Sequence, residues 1–345
     1  MSRALDKDVL ESLRKGDPRR VFNEISRIFD SPEEDGALLE IEFLGKAHPL
    51  PPETFFLRDG KDVGIPKLRL FQAFAAAYRS LKENLTGCSE HQALITEELR
   101  KATVVLLLAD PEHLTAANYR KRAILQDLGD GEDAASCLRR EKYFLDSILT
   151  SRLHRHTKSP TLWSHRRWLL DQFKRHGIEI DACADLRQVV FVSGERHPRN
   201  YYAWSHARWL LTTFVTREAA EASLHDMITD VQGWCLKHHD DISGWSFLHF
   251  LLSSRRGTKT SQQDTASAVF GSVIRMAESF RWRNESVWWF LHALAADDDD
   301  LLRQADLSLL EDVGGRMFSC FGSGEDEARL ACKWFKTFEA RRRLD

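Results

Sequence analysis

One tryptophan recurs at a nearly fixed interval, and that interval limits the folds open to this chain. Trp163, Trp204, Trp245 and Trp288 stand 41, 41 and 43 residues apart, in "TKSPTLWSHRRWLL", "HPRNYYAWSHARWLL", "DDISGWSFLHFLL" and "RWRNESVWWFLHAL". A step of 46 residues back from Trp163 reaches "DPEHLTAANYRKRAIL", where Ala117 takes the anchor place, and a weaker sixth copy has Trp334 in "LACKWFKTF". A period in this range marks stacked supersecondary units, each unable to bury its apolar face alone.

Each unit reads as two helices and a turn. In the third, Tyr201, Trp204, Ala207, Leu211 and Phe214 are spaced 3, 3, 4 and 3, which predicts one buried stripe. In the second, Ser159 and Pro160 supply a helix-start signal, Ser as N-cap and Pro in the first turn. The predicted fold is all-α: an α-α superhelix, a crescent-shaped solenoid of helical hairpins over residues 67–345, anchored near 117, 163, 204, 245, 288 and 334. Residues 1–66 are read apart from it. Leu5, Val9 and Leu13, then Val21, Ile25 and Ile28, have helical spacing, and the Pro- and Gly-containing "GKAHPLPPETFFLRDGKDVGIP" reads as an extended segment laid across the body. Nothing in the sequence resembles a sheet.

Composition narrows the function classes. Ten Trp among 345 residues is a large share, and the repeat accounts for much of it. A net charge of −3 supplies no basic face for nucleic acid. The charged first thirty residues lack the apolar core of a secretory leader, and no apolar run reaches the roughly 18 residues that cross a bilayer, so a cytoplasmic protein is expected. Cys88, Cys137, Cys183, Cys235, Cys320 and Cys332 form no Cys-x-x-Cys pair.

Candidate chemistry is sparse. His154, His156 and His165, or His238 and His239, lack the His and Glu spacing of a helical zinc site, so no metal is expected on this chain. In Ser164-His165 and Ser205-His206, neighbours on a helix point about 100° apart and cannot form an activated pair. The acidic run ending at Asp300 reads as a solvated turn, and "GSGEDE" at 322–327 lacks the Lys of a phosphate loop. What remains is a cationic strip: Lys158 and Arg199 each stand five residues before an anchor, in turns that fall on one rim of a solenoid.

"PRNYYAWSHARWLL" resembles the repeat of the protein prenyltransferase alpha subunit family, whose form is roughly Pro-x-Asn-Tyr-x-x-Trp-x-x-Arg, and "NESVWWFL" resembles its fifth repeat. "KSPTLWSHRRWLL", "SGW" and "LRDGKDVGI" resemble the divergent, repeat-containing branch, which is geranylgeranyltransferase-like. The resemblance covers about residues 95–295. It implies an alpha subunit, inactive alone, wrapped around a catalytic beta subunit that holds the zinc and the isoprenoid pocket. For this branch it implies the beta subunit of Rab geranylgeranyltransferase, with prenyl diphosphate and a cysteine-bearing protein as substrates at the shared interface. Lys158 matches the family lysine that reaches the diphosphate of the donor, and Tyr201 a tyrosine near that site. Arg199 replaces a family Lys, and Tyr202 stands where His occurs in the farnesyltransferase type. Ala117, Pro160 and Leu248 depart from the pattern. The competing reading is a non-catalytic scaffold, whose tetratricopeptide version would have a 34-residue period.

Overall fold

The computed structural model describes residues 17–30, 36–45, 50–51, 53–87, 95–215, 220–254, 259–296 and 302–318. The Trp334 copy, Leu5, Val9 and Leu13, the acidic run 297–300, the segment 322–327 and Cys88, Cys320 and Cys332 lie outside these residues. Among those described, the chain is an all-α helical repeat protein with one small sheet.

The chain opens with α1 (Pro18–Ser26), capped by Asp17, whose carboxylate accepts from Arg19 N and Arg20 N. Three strands follow: β1 (Glu40–Leu44), β2 (Leu57–Asp59) and β3 (Asp62–Pro66). They correct the expectation that no segment forms sheet. Asp59 pairs with Asp62, so Gly60 and Lys61 make a two-residue hairpin, with Gly60 at a φ of +55° that favours glycine. The signal was weak because β2 is exposed along its length and shows no alternation. β3 then pairs in parallel with β1. Hydroxyl groups finish the edge of β1: Leu39 N donates to Ser147 Oγ at 3.1 Å, Ile41 N donates to Ser151 Oγ at 2.8 Å, and Ser151 Oγ contacts Leu39 O at 3.0 Å. The sheet edge is thereby covered and held on a helix.

Helices then alternate. After α2 (Lys67–Gly87) come α3 (Glu97–Ala109) and α4 (Leu114–Gly129), then α5 (Ala134–Thr150) and α6 (Pro160–Arg175). The next pair is a broken run, α7 (Ala182–Asp185), a π segment (Leu186–Phe191) and α8 (Val192–Arg196), followed by α9 (Tyr201–Phe214). Last come α10 (Ala220–Lys237) with α11 (Ile242–Ser253), α12 (Lys259–Ser279) with α13 (Glu285–Ala295), and α14 (Gln304–Phe318). The second helices of neighbouring hairpins pack on each other, α4 on α6 and α11 on α13, and α12 packs on α14.

Contacts divide the chain into two compact units, Met1–Asp181 with Val192–His206, and Ala182–Phe191 with Ala207–Asp345. In the first, α3 buries every residue from Ala102 to Leu108, so it is apolar on all sides. Two carbonyls of its last turn, Leu107 O and Leu108 O, lie 3.1 and 3.0 Å from His156 Nε2, which satisfies a helix end that water does not reach. In the second, Gly244 is required by packing, because a Cβ there would lie 2.6 Å from the Trp234 ring. That contact accounts for the "SGW" form of the fourth anchor.

Candidate functional site

The site is built by the turn that opens each second helix. At three of the four tryptophan anchors the carbonyl six residues earlier receives the indole: Trp163 Nε1 donates to Thr157 O, Trp245 Nε1 to His239 O and Trp288 Nε1 to Trp282 O, each at 2.9 Å. All four anchor tryptophans are buried, as is Ala117. In three hairpins the residue four before the anchor stands at the start of the helix and its side chain reaches back to the preceding turn. Ser159 Oγ donates to Pro111 O at 3.1 Å, Asn200 Nδ2 to Thr157 O at 2.7 Å, and Asn284 Nδ2 to His239 O at 2.6 Å. The fully buried Asn200 also accepts from Ala203 N at 3.3 Å. These buried bonds lock the loop bearing Lys158 to the start of α9.

The exposed side of these turns carries the charge. Lys158 Nζ lies 4.9 Å from the centroid of the Tyr201 ring, within cation–π range. Tyr201 and Tyr202 have centroids 4.2 Å apart, and a hydrogen bond with Tyr201 is the main cause that raises the Tyr202 phenol above its ordinary value. Tyr201 is 53% exposed, which corrects its place in the buried stripe. It is the first residue of α9, and a helical side chain leans toward the N-terminus, so it covers the preceding turn rather than the core. Arg199 is exposed with a φ of +59°, a left-handed conformation held by the buried Asn200 beside it. His154 and His197 stack at 4.0 Å, with His197 Nδ1 3.0 Å from His154 O. Burial chiefly, with the charges of His154 and Lys158, holds the His197 imidazole below its ordinary value. Glu112, five residues before Ala117, accepts from Thr161 Oγ1 at 2.7 Å. The structure therefore brings Lys158, Tyr201 and Tyr202 together and puts Arg199 in the equivalent turn. Ammonium and phenol donors on a partly solvated rim suit an anionic group and supply no nucleophile.

Beneath the rim lie ionic networks that the sequence did not disclose. Arg120 closes on Glu141 at 2.8 and 2.5 Å, and its guanidinium stands 3.9 Å from the centroid of the Phe144 ring. Burial alone would raise the Glu141 carboxyl, but the charge and paired hydrogen bonds of Arg120 outweigh it and hold it below its ordinary range. Arg166 bonds Asp146 at 2.7 and 3.3 Å and donates to His206 Nε2 at 2.6 Å, while Lys142 Nζ reaches Asp146 at 2.6 Å. Both arginines lie three residues after an anchor, the one available signal. In the fourth hairpin that place is Leu248, buried, and α10 buries Met227, Ile228 and Val231 instead of an acid. In both Ser-His doublets the Ser is exposed and the His buried, so no activated pair forms.

Three buried histidines make stability depend on pH. Burial pushes His156, His165 and His292 down to about 4, from an ordinary value near 6.5. The unfolded chain therefore takes up protons that the folded chain refuses. Their contribution is complete above about pH 6.5 and is lost as pH falls toward 4, by about 1.4 kcal/mol per pH unit for each histidine. Denaturant midpoints should fall steadily from pH 7 to pH 5, and His165→Leu should flatten that slope by about one third. A midpoint independent of pH over this range would contradict the assignment.

The candidate metal histidines are separately engaged. His156 faces carbonyls, His238 stacks on Trp234 at 4.3 Å, and His239 stacks on Trp282 at 4.6 Å with Nδ1 3.2 Å from Asn284 Oδ1. Asp127, Glu132 and Cys137 do gather within 4.8 Å of one another. Arg100 grips Asp127 at 2.6 and 2.7 Å and Arg140 holds Glu132 at 2.7 Å. Burial chiefly, with the nearby acids, raises the Cys137 thiol to about 11.

Recurring buried tryptophans and the bonded turns before them define a helical-hairpin repeat protein. The model for the protein prenyltransferase alpha subunit repeat matches residues 147–173, the stretch that carries Lys158 and Trp163. A second model, the ECM9 middle domain, matches residues 162–273. The chain is 31% identical over 103 residues to "Geranylgeranyl transferase type-2 subunit alpha 2" of Arabidopsis thaliana, a match covering 29% of this chain and 14% of that protein. The chain therefore spans a small part of the length of that relative. These partial similarities support a likeness to a divergent protein prenyltransferase alpha-like family. Among the described residues, no helix is long and apolar enough to cross a membrane.

Proposed function

We propose that this chain is the alpha subunit of a heterodimeric protein prenyltransferase that transfers geranylgeranyl to cysteine of acceptor proteins and is inactive alone. The observation that carries this reading is the Lys158–Tyr201 pair, 4.9 Å from ammonium to ring, in a loop within the matched repeat. The partner is a beta subunit of the Rab geranylgeranyltransferase type, in which zinc is expected and would favour the thiolate of the acceptor cysteine. In the transfer a carbon–oxygen bond of the donor breaks, a carbon–sulfur bond forms, and diphosphate departs with the bonding electrons. Lys158 and Tyr201 meet the charge that grows on that diphosphate, while Arg199 and Tyr202 stand in its vicinity. Such donors act most strongly where charge is greatest, at the transition state.

Co-expression tests the proposal. The chain should co-purify with a type-2 geranylgeranyltransferase beta subunit, and the pair should transfer labelled geranylgeranyl to a cysteine-bearing protein, with neither subunit active alone. A soluble chain that binds no prenyltransferase beta subunit would overturn the reading and favour the scaffold. If it stands, the interface should be of obligate size, above about 2,000 Å².

A further inference from the structure

A second set of cations stands four residues after the anchors: Lys121, Arg167 and Arg208 follow Ala117, Trp163 and Trp204. Arg120 and Arg166, one position earlier, close on carboxylates. Each of the second set is received by the next hairpin. Lys121 Nζ lies 5.7 Å from the centroid of the Trp168 ring. Arg167 Nη2 donates to Ser205 Oγ at 2.9 Å. Arg208 stands 5.4 Å from the Phe250 ring and donates to Ser246 O at 2.7 Å and Ser246 Oγ at 2.6 Å. Trp168 and Phe250 both stand five residues after their own anchor, and Ser205 and Ser246 one residue after. A ring at one offset thus receives Lys121 and Arg208, and a serine at another receives Arg167 and Arg208.

Among the described residues, Lys121 and Arg208 form no ion pair, and burial is the one cause that pushes each below its ordinary value. Both are half-buried. A ring face and neutral acceptors orient a cation but do not replace the solvation that burial removes. A carboxylate arriving from outside does, and because each cationic head already faces a ring, little side-chain freedom is lost when it binds.

We propose that Lys121, in one unit, and Arg208, in the other, are each a docking point for a carboxylate of an acidic partner protein. Nucleic acid fits less well: its affinity grows with many phosphate contacts, whereas this chain carries a net charge of −3 and offers single cations framed by rings. The inference does not depend on prenyl transfer, since a scaffold would use the same points.

The test is a fluorescein-labelled decaglutamate peptide titrated with the whole chain by fluorescence anisotropy. Binding should weaken as salt rises. Lys121→Met keeps an unbranched side chain of similar length and removes the charge; it and Arg208→Met should each weaken binding by about threefold, and the double variant by about tenfold. Lys121→Arg and Arg208→Lys should restore most of the affinity, and Arg139→Met, at an exposed position, should leave it unchanged. Circular dichroism and the melting temperature establish that each variant is folded, and the charge-retaining pair decides the matter should a methionine variant unfold. No binding by the wild-type chain, or equal binding by the double methionine variant, would overturn the proposal. Tighter binding of an oligothymidylate of equal charge, with the same dependence on Lys121 and Arg208, would overturn it in favour of nucleic acid.

Discussion

Asp146→Ala is expected to destabilise the chain by about 3–5 kcal/mol, the usual cost of stranding a buried charge. Asp146 accepts from Arg166 at 2.7 and 3.3 Å and from Lys142 at 2.6 Å, and Arg166 is fully buried. Without the carboxylate, the guanidinium keeps His206 as a neighbour but loses its counter-charge. The same arrangement predicts a rescue: Asp146→Leu with Arg166→Met should recover much of the loss, because a well-packed apolar pair often equals a buried ion pair. The chain already contains that exchange, with buried Leu248 at the equivalent place above an apolar α10. Urea unfolding of the single and double variants measures the difference. A single variant as stable as wild type would show that Arg166 finds water or another acid.

Lys158→Ala, in the assembled heterodimer, is expected to lower the single-turnover transfer rate by about 10- to 1,000-fold, or about 1.4–4 kcal/mol, the range for losing one charge-stabilising donor. Lys158 is partly exposed and held over Tyr201, while its loop is fixed from beneath by Trp163 and Asn200. Removing the ammonium therefore leaves its supports intact, and donor affinity and subunit assembly should change much less than the rate. Wild-type turnover in an intact Lys158→Ala complex would make Lys158 a surface charge. Arg199→Ala should have the smaller effect, since its side chain is exposed.

The helical array was legible because its signal is periodic: a tryptophan every 41 to 43 residues, with an apolar stripe at helical spacing, admits few folds. The sheet was not. Its hairpin depends on a glycine at positive φ, and its edge is covered by Ser147 and Ser151 from a helix more than a hundred residues away. Tyr201 shows the limit within a single helix. Spacing gave its angle around the axis, but not that a first-turn residue lies beyond the core.

The site divides in the same way. Distance from the anchor singled out Lys158 and Arg199 as candidates, because turns at equal offsets recur in a repeat, whereas Tyr201 and Tyr202 entered only through the family resemblance. Spacing could not tell which of two adjacent basic residues turns inward. At Arg166-Arg167 the first is buried on Asp146 and the second reaches Ser205 of the next hairpin, a choice made by the 100° step between neighbours and by what the packed helices present to each. By itself the sequence determined the repeat, its anchors and the turns that bear the charge, since these follow from local periodicity. Only the tertiary structure decided which cations meet a carboxylate, because an ion pair across helices depends on partners that local periodicity does not position.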